Sequence, residues 1–300
     1  MMDRAIVLLN GKAGNSYGRR NTFRILERLY QEGFESTVIP VGSDYPLDLP
    51  AYLKERAGQF EVCVCVGGDG SLHHAVNGMI KSGCDKPIAY IPCGTTNDFA
   101  RSLGLNVDLN SPEPLLKKEV LKLDAGLFNK EYFTYVAAFG ALTDVSYTTP
   151  QEAKNALGYT AYALNSLSSL PNELNARVRV KIESDEYCDE GTYMYGSVSN
   201  CYSVAGVRTP LLEQVSLDDG LFEVVLIQSP KNLGDLLEIT SSLLSGEISR
   251  NARKLIRLFT TRKVTFTFQD ETEWTLDGEF GGTLTKATVS VRKQKLKLLR

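Results

Sequence analysis

Two glycine-rich turns, each with an aspartate, are the parts of this sequence whose residue types and spacing best fit a chemical task. The first reads G-G-D-G-S over residues 67–71, and the second reads P-C-G-T-T-N-D over residues 92–98. A turn that leaves a strand and opens a helix directs backbone N–H groups and the positive helix end toward one point, which suits phosphate oxygens. Because Asp69 and Asp98 add a carboxylate to each turn, the pair predicts a nucleoside triphosphate bound with a divalent cation.

Buried strands and amphipathic helices must position these turns. Each turn follows a short apolar run, residues 62–66 and 88–91, as is typical of strands buried on both faces of a parallel sheet. Helical spacing after the first turn predicts a helix with Ser71 as its N-terminal cap and a buried face formed by Leu72, Ala75, Val76 and Met79. A further helix, after the strand at residues 5–9, is expected to bury Phe23, Leu26, Leu29 and Tyr30.

The chain as a whole predicts two domains. Strand and helix patterns alternate up to about residue 105, whereas strand patterns dominate beyond residues 111–114. We expect an α/β domain with an open, mainly parallel sheet over residues 1–122. Residues from about 293 to 300 are a candidate addition to this domain from the end of the chain. A mainly antiparallel β-sandwich is expected over residues 123–292, with helices at residues 153–170 and between residues 230 and 244.

Composition excludes several classes of function. With 43% hydrophobic and 23% charged residues and a net charge of −3, the 300-residue chain is ordinary for a globular protein and gives no general attraction to nucleic acid. Six scattered cysteines without a C-x-x-C pair fit a reducing cytosol. No signal peptide and no apolar run of bilayer length is expected, so a lipid substrate would be taken from the membrane surface.

The two turns also carry a family resemblance. G-G-D-G-S, the N-G pair at residues 77–78 and I-P-C-G-T-T-N-D-F-A-R at residues 91–101 resemble the diacylglycerol kinase catalytic domain of soluble bacterial lipid kinases. The first motif alone is similar to NAD kinases and, more distantly, to phosphofructokinases, whereas the pair in this order is more specific. The resemblance implies ATP-dependent transfer of the γ-phosphate to a lipid hydroxyl, with diacylglycerol as the leading acceptor and other lipid alcohols left open.

The resemblance implies which residues bind the nucleotide and the cations. The nucleotide-binding positions are Asn10, Lys12, Gly67, Gly68, Asp69, Gly70, Ser71, Gly94, Thr95, Thr96 and Asn97. A catalytic Mg²⁺ is implied to reach Asp69, Asp98 and Asp124 through water, and a structural Mg²⁺ is implied at Ser216, Asp219 and Leu221. Two alternatives to these roles remain. Gly11 and Gly14 would merely turn the chain near Lys12, and the segment around Asp219 would be an acidic turn that binds no metal.

The late segment W-T-L-D-G-E, residues 274–279, is similar to the catalytic motif of the same kinases. It implies Glu279, from the second domain, as the general base on the substrate hydroxyl. The implied enzyme is cytoplasmic and peripheral to the inner face of the membrane, with a homodimer left open. Two alternatives remain: an NAD kinase-like enzyme that phosphorylates a soluble substrate, and a nucleotide-binding regulator without turnover.

Overall fold

The computed structural model describes residues 2–42, 44–94, 97–105, 107–111, 113–116, 119–140, 177–201, 203–204, 207–208, 215–245 and 247–299. The helix expected at residues 153–170 lies outside the described residues, and so do Thr95 and Thr96. The chain divides into two compact units, one formed by residues 1–125 with 293–300 and the other by residues 126–292. The sequence pattern predicts this boundary after residue 122.

The first unit is an α/β unit with a parallel sheet. Its strands are β1 (Asp3–Leu9), β2 (Phe34–Pro40), β3 (Val62–Gly67) and β4 (Ile88–Pro92), and its helices are α1 (Ala13–Gln31), α2 (Leu49–Arg56), α3 (Asp69–Ser82) and α4 (Asp98–Ser102). The strand order is β2-β1-β3-β4, and all three pairings are parallel. The chain's end returns to this sheet, because Leu298 and Leu299 pair in parallel with Ile88 and Ala89.

Burial explains why these segments form strands and helices. Every residue of β3 is buried, which is the pattern of a central parallel strand covered on both faces. On α3 the predicted face of Leu72, Ala75, Val76 and Met79 is buried, so that prediction is confirmed. Ser71 does not cap this helix, because α3 begins at Asp69 with Gly68 at the N-cap position.

The predicted buried face of α1 is wrong at two positions. Phe23 is 80% exposed and Tyr30 is 66% exposed, whereas Ile25 and Leu29 are fully buried. The helix approaches the sheet at Gly18, where an added Cβ would lie 3.1 Å from Val66 Cγ1. Since successive residues turn by about 100°, the stripe through Gly18, Ile25 and Leu29 leaves both rings on the solvent side.

The second unit is built on antiparallel strands. They are the end of β5 (Val120–Phe128), β6 (Glu131–Phe133), β7 (Val136–Gly140), β8 (Val178–Ser184), β9 (Cys188–Ser199), β10 (Ser203–Val204), β11 (Val207–Arg208), β12 (Phe222–Gln228), β13 (Ile256–Thr261), β14 (Lys263–Leu276) and most of β15 (Glu279–Leu299). Helix α5 (Leu233–Ser245) and a 3₁₀ turn at Ala252–Lys254 complete the described elements. Strand pairs within this unit, such as β9 with β12 and β14 with β15, are antiparallel.

Aromatic residues fill one face of this sheet. Phe139, Phe266, Phe268 and Trp274 pack together, with ring centroids 4.9 Å apart for Phe139 and Trp274. On the other face, apolar residues of α5 pack on Val225 and Ile227 of β12. The strand pairings show which strands are hydrogen-bonded neighbours. The expected β-sandwich, with two sheets packed face to face, stays a prediction.

Candidate active site

The two glycine turns lie side by side in the first unit, because they leave neighbouring parallel strands. Gly67 pairs with Pro92, and the Cys93 amide donates a hydrogen bond of 2.7 Å to the Gly67 carbonyl. A Cβ added at Gly94 would lie only 2.6 Å from the Gly68 Cα. The approach is therefore backbone to backbone, and only glycine at position 94 permits it.

Asn97 holds the second turn in shape. Its side chain accepts a hydrogen bond of 2.9 Å from the Gly94 amide and donates one of 2.9 Å to the Gly94 carbonyl. The Asn97 backbone is in the left-handed region, at φ 48° and ψ 49°, which asparagine tolerates better than most residues. The Gly94 N–H is therefore already hydrogen-bonded within the turn.

Asp69 joins the two turns. Its carboxylate accepts hydrogen bonds from the backbone amides of Asp98, at 3.0 Å, and Phe99, at 3.3 Å. These amides open helix α4, and a carboxylate there satisfies N–H groups that have no partner within the helix. Burial, and then the charge of Asp69, raise the pKa of Tyr90 well above its ordinary value, so the Tyr90 hydroxyl stays protonated.

The turn that follows β1 meets the glycine turn at residues 67–71 through Asn10. The Asn10 amide group donates a hydrogen bond of 2.9 Å to the Ser71 hydroxyl, and its oxygen accepts one of 3.1 Å from the Lys12 backbone. The Lys12 ammonium forms an exposed ion pair of 2.5 Å with Asp44. The structure thus brings Asn10, Ser71 and Gly67 together, while the ammonium of Lys12 is engaged in a surface ion pair.

Asp124 is fully buried in the first unit. Its carboxylate accepts a hydrogen bond of 2.6 Å from the Gln294 backbone, so it ties the returning end of the chain to this unit. Within the described residues, no group of three or more His, Cys, Asp and Glu side chains is close enough to hold a metal ion directly. The three aspartates Asp69, Asp98 and Asp124 therefore do not form a cluster of direct ligands.

In the second unit, a tight turn presents Glu279. Asp277, at φ 52°, is buried and accepts hydrogen bonds from three successive backbone amides, those of Thr134 (2.7 Å), Tyr135 (2.9 Å) and Val136 (3.2 Å). Glu279 is exposed at the first position of β15. Sequence reasoning missed the anchoring role of Asp277, although the Asp277-Gly278 pair signals a tight turn.

The acidic loop at residues 216–221 is also in the second unit. Asp219 accepts a hydrogen bond of 2.8 Å from the Leu221 amide, and the Ser216 hydroxyl donates one of 2.9 Å to Asp218. Asn200 braces this loop by donating a bond of 3.2 Å to the Leu217 carbonyl. Two residues beyond the loop, burial and then the charge of Asp219 raise the pKa of Glu223 to about 7.

Comparisons with known proteins agree on the family. A family model described as the diacylglycerol kinase catalytic domain matches residues 4–128. A diacylglycerol kinase of Bacillus subtilis (strain 168) is 30% identical over 286 residues, which cover 94% of this chain and 92% of the relative. One from Staphylococcus carnosus (strain TM300) is 29% identical over 287 residues, covering 95% and 91%. A solved diacylglycerol kinase structure from Bacillus anthracis str. Sterne shares the fold with a TM-score of 0.72 at 19% identity, covering 99% of this chain and 96% of that chain.

A parallel sheet that ends in two apposed glycine turns, together with these matches, identifies the chain as a kinase. The match to the Bacillus subtilis relative extends over nearly the whole of both chains. The chain belongs to the diacylglycerol kinase family. Within its described residues, no helix has the length and apolar character needed to cross a membrane.

Proposed function

We propose that this kinase transfers the γ-phosphate of ATP to a lipid hydroxyl and converts diacylglycerol to phosphatidic acid. The observation that carries the proposal is the contact between the two glycine turns, which Asp69 joins through the Asp98 and Phe99 amides. The names of the relatives support diacylglycerol as the acceptor. We further propose that the enzyme acts in the cytoplasm at the inner face of the membrane.

The first unit would hold the triphosphate. The turn at residues 67–71 opens the 14-residue helix α3, whose positive N-terminal end favours phosphate. Asn10 shapes this turn by holding the Ser71 hydroxyl, and Asn97 shapes the neighbouring turn at Gly94. We assign nucleotide binding to this region. The family resemblance adds Lys12, Thr95 and Thr96 to the proposed nucleotide-binding residues.

The donor chemistry of the first unit fits Mg²⁺. Asp69, Asp98 and Asp124 offer the hard carboxylate oxygens that Mg²⁺ prefers, and Mg²⁺ keeps several of its waters. A water-bridged arrangement suits three aspartates that do not form a direct ligand cluster. When bound, the cation would neutralise charge on the phosphates, while Asp69 keeps the two turns in register.

We assign the general base to Glu279. It would remove the proton from the lipid hydroxyl as that oxygen forms a bond to the γ-phosphorus and the bond from phosphorus to the departing ADP oxygen breaks. Asp277 supports this role, because its three backbone hydrogen bonds fix the turn before Glu279. The contribution of this turn is to fix the position of the Glu279 side chain.

We assign a second, structural Mg²⁺ to the loop at residues 216–221. The proposed ligands are the Asp219 carboxylate and the main-chain oxygens of Ser216 and Leu221. The donor set is again oxygen, which fits a hard divalent cation. The nearby buried carboxylate of Glu223 supports a positive charge here, because it has an oxygen without a hydrogen-bond partner.

The test is transfer of label from γ-labelled ATP to mixed micelles that contain diacylglycerol, sphingosine, ceramide or phosphatidylglycerol, beside soluble NAD⁺. Label in diacylglycerol is the expected result. Label in a different lipid would replace the acceptor, and label only in NAD⁺ would favour the NAD kinase-like alternative. ATP binding without any transfer would favour a regulator. Asp69→Asn should lose transfer, because it removes charge beside the phosphates.

A further inference from the structure

Among the described residues of the second unit, the buried side-chain oxygens without a hydrogen-bond partner include one carboxylate oxygen of Glu223 and the hydroxyls of Ser197 and Ser199. Glu223 is only 7% exposed, and the two serines are at most 1% exposed. A buried polar group without a partner destabilises the fold, and a charged group does so more strongly. Three such groups in one region therefore indicate that something polar belongs there.

Strand register places the three side chains on one patch. Glu223 on β12 is the direct cross-strand partner of Ser199 on β9, so their side chains project from the same face of the sheet. Ser197 lies two residues from Ser199 and so faces the same way, opposite Val225 of β12. We call Glu223, Ser197 and Ser199 the buried oxygen patch.

The patch lies at the end of the sheet face that is nearest the acidic loop. Further along β12, the same face carries Val225 and Ile227, which pack in an apolar cluster. On β12, only the first position on this face, Glu223, is ionisable, and it lies two residues beyond the acidic loop that carries Asp219. An apolar residue at position 223 would continue the apolar face, so the carboxylate interrupts a pattern that packing alone favours.

Two carboxylates near each other repel, and a cation between them relieves the repulsion. Asp219 is in the loop to which we have assigned Mg²⁺, and Asn200 braces that loop from the end of β9. Mg²⁺ keeps waters that donate hydrogen bonds outward. Such waters would give partners to the unsatisfied oxygens of Glu223 and Ser199, whereas a dry apolar core would not.

We propose that Glu223 is the second carboxylate of the cation site at the loop, and that it accepts hydrogen bonds from water on the cation bound by Asp219. Ser199, and then Ser197, complete the polar lining behind it. The inference rests on the proposed structural Mg²⁺ and deepens it, since it assigns a residue outside the loop to that site. Glu223 is thus a positioning residue and does not touch substrate.

The experiment measures the melting temperature of the full chain against MgCl₂ concentration, without nucleotide and at one fixed pH. The wild type should be stabilised by Mg²⁺, and Asp219→Asn should lose this response. Glu223→Gln should raise the Mg²⁺ concentration at the midpoint by about tenfold, as is typical when a group supporting a metal ligand is removed. Glu190→Gln, which alters an exposed carboxylate on β9, is the matched control and should leave the midpoint unchanged.

A second signature separates this role from ordinary core packing. Without Mg²⁺, Glu223→Gln should melt no lower than the wild type, because it removes a buried charge that has no counter-ion. At saturating Mg²⁺ the order should reverse. An unchanged Mg²⁺ midpoint in Glu223→Gln would overturn the proposal, and so would a variant that melts lower by the same amount at every Mg²⁺ concentration.

Ser199→Ala keeps the test decisive if Glu223→Gln does not fold. It should raise the Mg²⁺ midpoint by less than Glu223→Gln does, since it removes one water-binding hydroxyl and keeps the carboxylate. No change in the midpoint would overturn the role of the patch. Failure of this inference is distinguishable from failure of the proposed function. A wild type that phosphorylates diacylglycerol but melts independently of Mg²⁺ would overturn the cation site and leave the kinase assignment intact.

Discussion

The glycine turns of the first unit and the buried oxygen patch of the second unit treat polar groups in opposite ways. In the turns, the side chains of Asn10, Asp69 and Asn97 all bind backbone or neighbouring side chains. In the patch, Glu223 and Ser199 have oxygens without partners. The turns are therefore shaped by hydrogen bonds within the chain, whereas under our proposal the patch is completed by a cation.

The turn at Asp277 belongs with the preformed regions, although it lies in the second unit. Its carboxylate is saturated by three backbone amides, so the position of Glu279 needs no ligand to define it. Preorganisation is thus a property of the segments that carry proposed chemistry, and it is found in both units. The four predictions below test that distinction.

The largest expected effect is on turnover when the proposed base is removed. Glu279→Gln should lower kcat by about a hundredfold to ten-thousandfold, while ATP affinity in the first unit stays nearly unchanged. The measurements are initial rates with diacylglycerol micelles and equilibrium binding of ATP. Glu273→Gln, an exposed carboxylate on β14, is the control. Full activity in Glu279→Gln would contradict the assignment.

The next effect is on stability, at the anchor of the same turn. Asp277→Ala leaves three backbone amides without their acceptor and should lower the free energy of unfolding by about 3 kcal/mol or more. Urea unfolding measures this change, and Asp270→Ala, an exposed residue of β14, serves as control. If both variants unfold alike, Asp277 is not the anchor and the second unit has no preformed turn.

A smaller effect is expected where the two glycine turns meet. Gly94→Ala introduces a Cβ 2.6 Å from the Gly68 Cα, so the turns must separate. ATP binding should weaken by about tenfold or more, which corresponds to ~1.4 kcal/mol. Gly58→Ala is the matched control, because its added Cβ would meet no atom within 4 Å. Equal ATP affinity in both variants would show that the contact does not shape the nucleotide site.

Sequence patterns predicted the strands of the first unit because burial on both faces leaves a continuous apolar run, as in β3. The same reasoning failed for α1, since the contact with the sheet is made at Gly18, a residue that no hydrophobic pattern counts. Phe23 and Tyr30 were therefore assigned to the wrong face.

For the site, the sequence identified residue types and missed their partners. Asp69 and the amides of α4 are 29 and 30 residues apart, and only the parallel pairing of β3 with β4 brings them together. The patch was missed for the same reason, because Glu223 and Ser199 become neighbours only through strand register. Local patterns carry chemistry, whereas contacts between distant segments show whether a polar group is satisfied.

The smallest expected effect is that of cysteine alkylation on the kinase activity of the native protein. The two units differ in how exposed their cysteines are. Burial raises the pKa of Cys63 to about 12 and that of Cys93 to about 11, so neither thiol forms the reactive thiolate near neutral pH. Cys188, in the second unit, is exposed. Brief alkylation of the native protein should therefore label Cys188 and leave kinase activity unchanged.

Pulses of alkylation in increasing urea then compare the two units directly. Cys93 lies between β4 and Gly94, so its labelling reports the opening of the glycine turns. If these turns are held by their own hydrogen bonds, Cys93 should become reactive together with Cys63 of β3, in one step with the unfolding of the first unit. Labelling of Cys93 at urea concentrations that leave Cys63 protected would contradict a preformed turn, because it would mean that the turn opens while the sheet beneath it stays folded.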